Sequence, residues 1–260
     1  MILVFDIGNT NIKLGAFENE RLAGTWRIAT DLRKTSDEYG IAIVAMLSAA
    51  NIKVEDLDGI IVSSVVPGIN FTIEHMISDY LKKKPLIVGA GIKTGLNIKI
   101  DSPRELGGDI ICDAVSAFRR YGGPCITMDF GTATTTGVIS ENGEFLGGCI
   151  CAGVKVSSDA LSDKAAKLPS VALELPESVI GKNTVSCMQA GLLYGYIGQV
   201  EYIINRIKKE TGFFNAKVIA TGGLAKAISV HTDAIDTVDT RLTLEGLRLI
   251  YNLNKEGRSL

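Results

Sequence analysis

The chain has 260 residues with 27 basic and 29 acidic side chains, a formal net charge of −2, which argues against a nucleic-acid backbone or an anionic membrane as its main partner. Hydrophobic residues at 46% and charged ones at 22% describe a globular protein with a sizeable core, in one large domain or two ordinary ones. No apolar run approaches the roughly 20 residues of a spanning helix, and Met1 leads straight into a strand, so a cytoplasmic location is expected. The five cysteines (Cys112, Cys125, Cys149, Cys151 and Cys187) are odd in number, in a chain large enough to need no disulfide. Cys149 and Cys151 read as alternating strand positions, and His75 and His231 offer neither a zinc site nor a His-based triad.

In chain order, "MILVFDIG" reads as a buried strand, "NIKLGAFEN" as its return after a tight turn, and "ERLAGTWRIA" as a third antiparallel strand. "TSDEYGIAIVAMLSAANI" is helical, with Thr35 or Ser36 as cap and Glu38 in the first turn. "LDGIIVSSVVPG" is a β run closed by Pro67-Gly68, "FTIEHMISDYLKK" a helix, and "KPLIVGAG" a short strand. "GDIICDAVSAFRRYGG" is a helix stopped by paired glycines. The pattern then restarts: "PCITMDFG" is a strand, "TATTTGVIS" its partner, and "ENG" a turn into "EFLGGCICAG". A mostly helical region from Ser157 to Lys209 follows, then "AKVIATGGLAKAI" as strand, Gly-Gly turn and helix, and "TLEGLRLIYNLNKEG" as the closing helix. The order β-β-β-α-β-α, stated twice, implies two similar α/β domains, residues 1–115 and 116–260, hinged near 115–124 with a cleft between them.

The chemistry sits at the strand ends. "VFDIGNTN" and "CITMDFGTATT" each place an Asp, one apolar residue and a Gly at the end of a buried strand, followed by small hydrogen-bonding side chains. Gly8 and Gly131 let an anion approach the main chain, and Thr10, Thr132 and Thr134 add hydroxyl donors. Asp6 and Asp129 repel phosphate and are read as holding a cation or its water shell, while Lys13 supplies positive charge to a phosphoryl group. Gly222 and Gly223 in "VIATGGLA" leave a surface for a ribose or adenine. The three together favour ATP binding, in a sequence with no G-x-x-x-x-G-K-[ST] loop.

These residues resemble the acetate and sugar kinase/Hsp70/actin superfamily, with duplicated ribonuclease-H-like (actin-like ATPase) domains and an interdomain ATP cleft. Within it the chain resembles the type III pantothenate kinases, through "FDIGNTNIKLG", "TSDEYG", "SSVVPG", "GIKTGLNIKIDSPRELGGD", "DFGTATT", "GEFLGGCI", "AAKLP", "VIGKNTVSCMQAG", "ATGGLA" and "LTLEGLRLIY". The resemblance implies ATP-dependent phosphorylation of pantothenate, with Mg2+ and a monovalent cation, K+ or NH4+. It implies Asp109 as general base, chemically apt for phosphoryl transfer, with Gly107 and Gly108 in the pantothenate-binding turn. Asp6 (also a water-mediated Mg2+ contact), Gly8, Asn9, Thr10, Asn11 and Lys13, with Gly131 and Thr132, are implied on the phosphate side. Gly222 and Gly223 are implied on the nucleotide side, and Asp129 with the monovalent cation. Thr184 is implied to reach the substrate of a neighbouring subunit in a dimer. On the residues alone, Asp109 and Thr184 read equally well as helix caps.

The family usually reads Gly-Ala-Asp-Arg where this chain has Gly107-Gly108-Asp109-Ile110. If that arginine binds the substrate carboxylate, its loss removes a charge-assisted hydrogen bond of about 1.5–3 kcal/mol. Thr136-Gly137, Ala152-Gly153 and Asp113 are lesser departures. Three readings stay open: a pantothenate kinase that recognises the carboxylate through Lys93, Arg104 or Lys155; an impaired subunit active beside a heteromeric partner chain; and a related kinase or ligand sensor.

Overall fold

The computed structural model describes residues 1–255. Its elements are β1 (Ile2–Ile7), β2 (Asn11–Glu18), β3 (Arg21–Ala29), α1 (Ser36–Ala49), β4 (Gly59–Ser64), α2 (Pro67–Leu81), β5 (Leu86–Ile87), β6 (Asn97–Ile98) and α3 (Gly108–Tyr121). They continue as β7 (Cys125–Phe130), β8 (Ala133–Ile139), β9 (Glu144–Ala152), α4 (Val154–Lys164), α5 (Thr184–Thr211), β10 (Lys217–Thr221), α6 (Ala225–Ser229), β11 (Thr237–Val238) and α7 (Leu242–Lys255). Two compact units emerge: Met1–Arg119 together with residues 241–255, and Arg120–Thr240.

In the first unit the strand order is β3-β2-β1-β4-β5, with β1 antiparallel to β2 and parallel to β4. All six residues of β1 are buried, which explains the unbroken apolar run: a central strand covered on both faces has no solvent side to mark with polar residues. Alternation along it sorts the side chains. Leu3, Phe5 and Ile7 pack with Tyr39, Ile43 and Leu47 of α1 and Ile73 and Met76 of α2. Ile2 and Val4 pack on the other face with Ile111, Cys112 and Val115 of α3 and Leu244, Leu247 and Ile250 of α7. The capping box expected at "TSDEYG" forms, with Thr35 as the cap: Glu38 N–H donates to Thr35 Oγ1 at 3.3 Å and Thr35 N–H to Glu38 Oε2 at 2.8 Å.

In the second unit β11-β10-β7-β8-β9 repeats that order, with β7 antiparallel to β8 and parallel to β10. Ile126, Met128 and Phe130 of β7 meet Leu192, Tyr196 and Val200 of α5.

The division differs from the one expected at 115/116. That point falls inside α3, whose helical hydrogen bonding runs on to Tyr121. The closing helix α7 belongs with the first unit, because its apolar face completes the layer under Ile2 and Val4. The region from Ser157 to Lys209 is mostly helical, as expected, in two helices, α4 and α5, separated by residues 165–183 without helix or strand.

Candidate active site

β1 presents Ile2, Val4 and Asp6 to the face covered by α3, so the last of the three meets the helix that carries Asp109. Asp6 is 7% exposed and its carboxylate lies 3.2 Å from Lys13 Nζ, the residue opposite it in the β1–β2 register. Asp109 is the second residue of α3, one step inside the helix rather than at its cap. Its Oδ1 accepts the Ile110 N–H at 2.8 Å.

The charge environment of Asp109 ties the three residues together. Burial pushes its carboxyl above the ordinary value, and the neighbouring Asp6 charge adds to that. The Ile110 N–H and the Lys13 ammonium oppose it without reversing the sign. A carboxylate with a raised pKa ionises later, so if Asp109 is the base, the rate falls as pH drops through that higher value. The acid limb of kcat/KM is expected above that of an unperturbed aspartate, and Asp109→Glu is expected to move it; a pH–rate profile of parent and variant checks both.

At the glycines before Asp109, a Cβ would push aside a neighbouring side chain. A Cβ on Gly107 would stand 2.6 Å from Asp109 Oδ1, and one on Gly108 would stand 2.6 Å from Ser63 Oγ on β4. Ser63 is fully buried and is register partner of Asp6, a position the sequence reading did not single out. Of the cations considered for a substrate carboxylate, Arg104 is exposed in a 3-10 turn just ahead of Gly107. Lys93 binds Asn254 of α7 through its backbone, and Lys155 pairs with Asp159 at 3.5 Å. Ile110 is half-buried.

The first hairpin turn is closed by its own glycine. Gly8 N–H does not face outward; it closes the turn onto Asn11 O at 3.0 Å. Asn9 and Thr10 are the exposed positions, with Asn11 half-buried, so the groups offered to an anion come from these residues.

In the second unit Asp129 holds the place that Asp6 holds in the first, one residue before the strand end and opposite Thr135 instead of a lysine. Gly131 N–H again closes its turn, onto Ala133 O at 3.1 Å, and Thr132 is exposed. Thr134 is not available as a phosphate donor: it is 1% exposed and its hydroxyl is hydrogen-bonded to Tyr196 Oη. Burial drives the Tyr196 hydroxyl up to about 12 against the Thr134 bond, so it stays a neutral partner. Gly222, at φ +94°, presses on Asp129: a Cβ there would lie 2.2 Å from its Oδ1 and 2.6 Å from Phe130 N. Gly223, by contrast, is exposed with nothing within 4 Å of its Cβ position among the described residues.

Thr184 is the exposed first residue of α5, and Asn183, not Thr184, caps the helix by accepting Ser186 N–H at 2.9 Å. It stands about 18 Å along the helix from Tyr196, at 1.5 Å per residue, and so is not brought to the Asp129 hairpin by this helix.

Residues 2–206 match the type III pantothenate kinase family. The chain belongs to that family. It is a kinase built on two α/β sheets of like topology. Among solved structures it is similar to a Baf family transcriptional activator, as that protein is described, from Campylobacter jejuni, at 18% identity and TM-score 0.63, covering 98% of this chain and 99% of that one. It is also similar to component A of (R)-2-hydroxyglutaryl-CoA dehydratase from Acidaminococcus fermentans, at 16% identity and TM-score 0.58 over 99% of both chains. ROK hexokinase from Thermus thermophilus matches at 15% identity and TM-score 0.51, over 98% of this chain and 99% of that one. Identities this low carry the fold alone. Among the described residues no helix is long and apolar enough to cross a membrane.

The donor set bears on which metal this kinase site could take. Among the described residues no three His, Cys, Asp or Glu side chains gather where they could hold a metal ion. Asp6 offers one carboxylate near the end of β1. That suits Mg2+, which keeps several waters and binds through one or two carboxylates plus substrate phosphates.

Proposed function

We propose that this chain phosphorylates pantothenate with ATP, giving 4'-phosphopantothenate at the start of coenzyme A synthesis. The observation that carries this reading is the half-buried Asp109 carboxylate, which feels the charges of the Asp6–Lys13 pair, within a chain of this family. Asp109 accepts the proton of the attacking primary hydroxyl, and its burial makes it a stronger base than an exposed aspartate. The Ile110 N–H and the Gly107-Gly108 turn fix its aim. Lys13 offsets the negative charge that gathers on a transferring phosphoryl group. Asn9, Thr10 and Asn11 of the first unit donate to phosphate oxygens. Bound Mg2+ would supply charge neutralisation at the phosphates, with Asp6 as its water-mediated protein contact. A monovalent cation, K+ or NH4+, is assigned to Asp129.

The working form we propose is a homodimer through α5. Cβ atoms at Gly191, Gly195 or Gly198 would meet nothing within 4 Å among the described residues, and all three are exposed. Each glycine costs about 1 kcal/mol against alanine in a helix, a cost that close approach of a second backbone would offset. Thr184 heads the same helix and would be delivered to the other subunit's substrate. Gly195→Glu is expected to give a monomer in light scattering; an unchanged dimer would remove α5 from the interface.

The deciding experiment is a coupled phosphorylation assay on the purified protein with ATP, Mg2+, K+ and pantothenate raised to high concentration. Turnover with an elevated KM is expected, since Ile110 cannot hold a carboxylate. Absence of turnover, with ATP or pantothenate still bound by calorimetry, would replace this reading with that of a partner-dependent or sensing subunit.

A further inference from the structure

The segment that follows β3 lies behind the Gly8–Asn11 turn. Thr30 donates its N–H to Thr10 O at 3.1 Å and its hydroxyl to Gly8 O at 2.7 Å. That segment is pinned in turn by Tyr39, which is fully buried on α1. The Tyr39 hydroxyl oxygen accepts Asp31 N–H at 2.9 Å, and its hydrogen has Asp31 O at 3.1 Å and Ala29 O at 3.4 Å as acceptors. The Thr35–Glu38 capping box sets the first turn of α1, from which Tyr39 projects.

The second unit repeats the arrangement. Gly153, the first residue after β9, donates its N–H to Thr132 O at 3.1 Å, just as Thr30, the first after β3, does to Thr10 O. A Cβ on Gly153 would come within 2.5 Å of Gly131 O and 2.6 Å of Thr132 O. In both halves, then, the residue leaving the third strand latches the carbonyl that precedes the returning second strand. Only the first half adds a side-chain hydroxyl and a tyrosine behind it.

We infer that Thr30 and Tyr39 are positioning residues, which hold the Gly8–Asn11 turn in the shape that receives a nucleotide phosphate, as Gly153 does for Gly131–Thr132. The "TSDEYG" motif thereby acts on the site from a distance. Its role is to carry Tyr39 to the segment that latches the loop. The inference rests on the nucleotide-binding reading for its consequence, though the latch itself does not.

Thr30→Val keeps the shape and removes the hydroxyl; Thr30→Ser restores it; Tyr39→Phe removes the support behind it. For each, thermal unfolding checks folding. NMR amide exchange at Gly8, whose N–H closes the turn, reads the latch without nucleotide, and calorimetry with Mg2+ and ADP reads its consequence. Thr30→Val and Tyr39→Phe are expected to speed Gly8 exchange and weaken ADP binding by about fivefold, the scale of one ordinary hydrogen bond, with Thr30→Ser within twofold of the parent. Parent-like exchange and affinity in Thr30→Val would overturn the inference, as would a Thr30→Ser protein as impaired as the valine. If the parent itself binds no ADP, the nucleotide reading fails while Gly8 exchange still decides the latch.

Discussion

Asp109→Asn is expected to lower kcat by about 10²–10⁴-fold, the usual contribution of a general base, while the protein stays as stable as its parent or becomes more so. The second half follows from the sign of the pKa shift. Burial, helped by Asp6, raises the carboxyl in the folded protein above its unfolded value. The native state therefore holds that proton more tightly than the unfolded chain does. The favourable effect is full below the unfolded pKa and is lost as pH rises through the folded one. Above the folded pKa the ionised carboxylate is a cost, and a neutral asparagine removes it while still accepting the Ile110 N–H now bonded at 2.8 Å. Thermal unfolding at pH 5 and pH 8 beside the kinase assay tests both halves. An inactive variant that melts much earlier at both pH values would mean that Asp109 serves the start of α3 structurally, and parent-like turnover would remove it as the base.

Gly246→Ala is expected to cost the first unit much of its stability. A Cβ at Gly246 would stand 2.0 Å from Cys112 O, 2.5 Å from its carbonyl carbon and 2.8 Å from its Cα. These are backbone atoms of α3 at fully buried Cys112, so no side chain can swing aside. Either α7 or α3 must move, and both line the apolar layer under Ile2 and Val4. Overpacking of this kind costs about 3 kcal/mol or more, roughly 10 °C in Tm for a unit of this size. Because α3 bears Asp109 at its first turn, any folded fraction is also expected to have a lowered kcat. A melting temperature within a degree or two of the parent would show that the two helices can separate freely, and would undercut the account of how α7 fixes α3.

The resemblance supplied the roles of Asp109 and Thr184, but the chemistry around Asp109 could not be read along the chain. Asp6 and Asp109 are about a hundred residues apart, and they meet because Asp6 falls in the same alternation as Ile2 and Val4, toward the face that α3 covers. The hydroxyl of Thr134 looked like a phosphate donor in a row of threonines. Its side chain instead points with Phe130 toward α5, where Tyr196 takes it. Gly8 and Gly131 were legible as turn residues, yet not that their own N–H groups close the turns.

What the sequence by itself determined is local: the buried strands from unbroken apolar runs, the hairpins from Asp-x-Gly ends, the Thr35–Glu38 cap from its spacing, and the duplication from two copies of one pattern. Hydrogen bonds between neighbours and period-two alternation act over a few residues, so short stretches suffice to state them. Only the tertiary structure decided that α7 returns to the first unit, that Asp109 feels the charges of Asp6 and Lys13, and that Thr30 and Tyr39 stand behind the Gly8–Asn11 turn. Which helix covers which face of a sheet depends on apolar area buried between segments far apart in the chain, and that quantity exists only once the chain has folded.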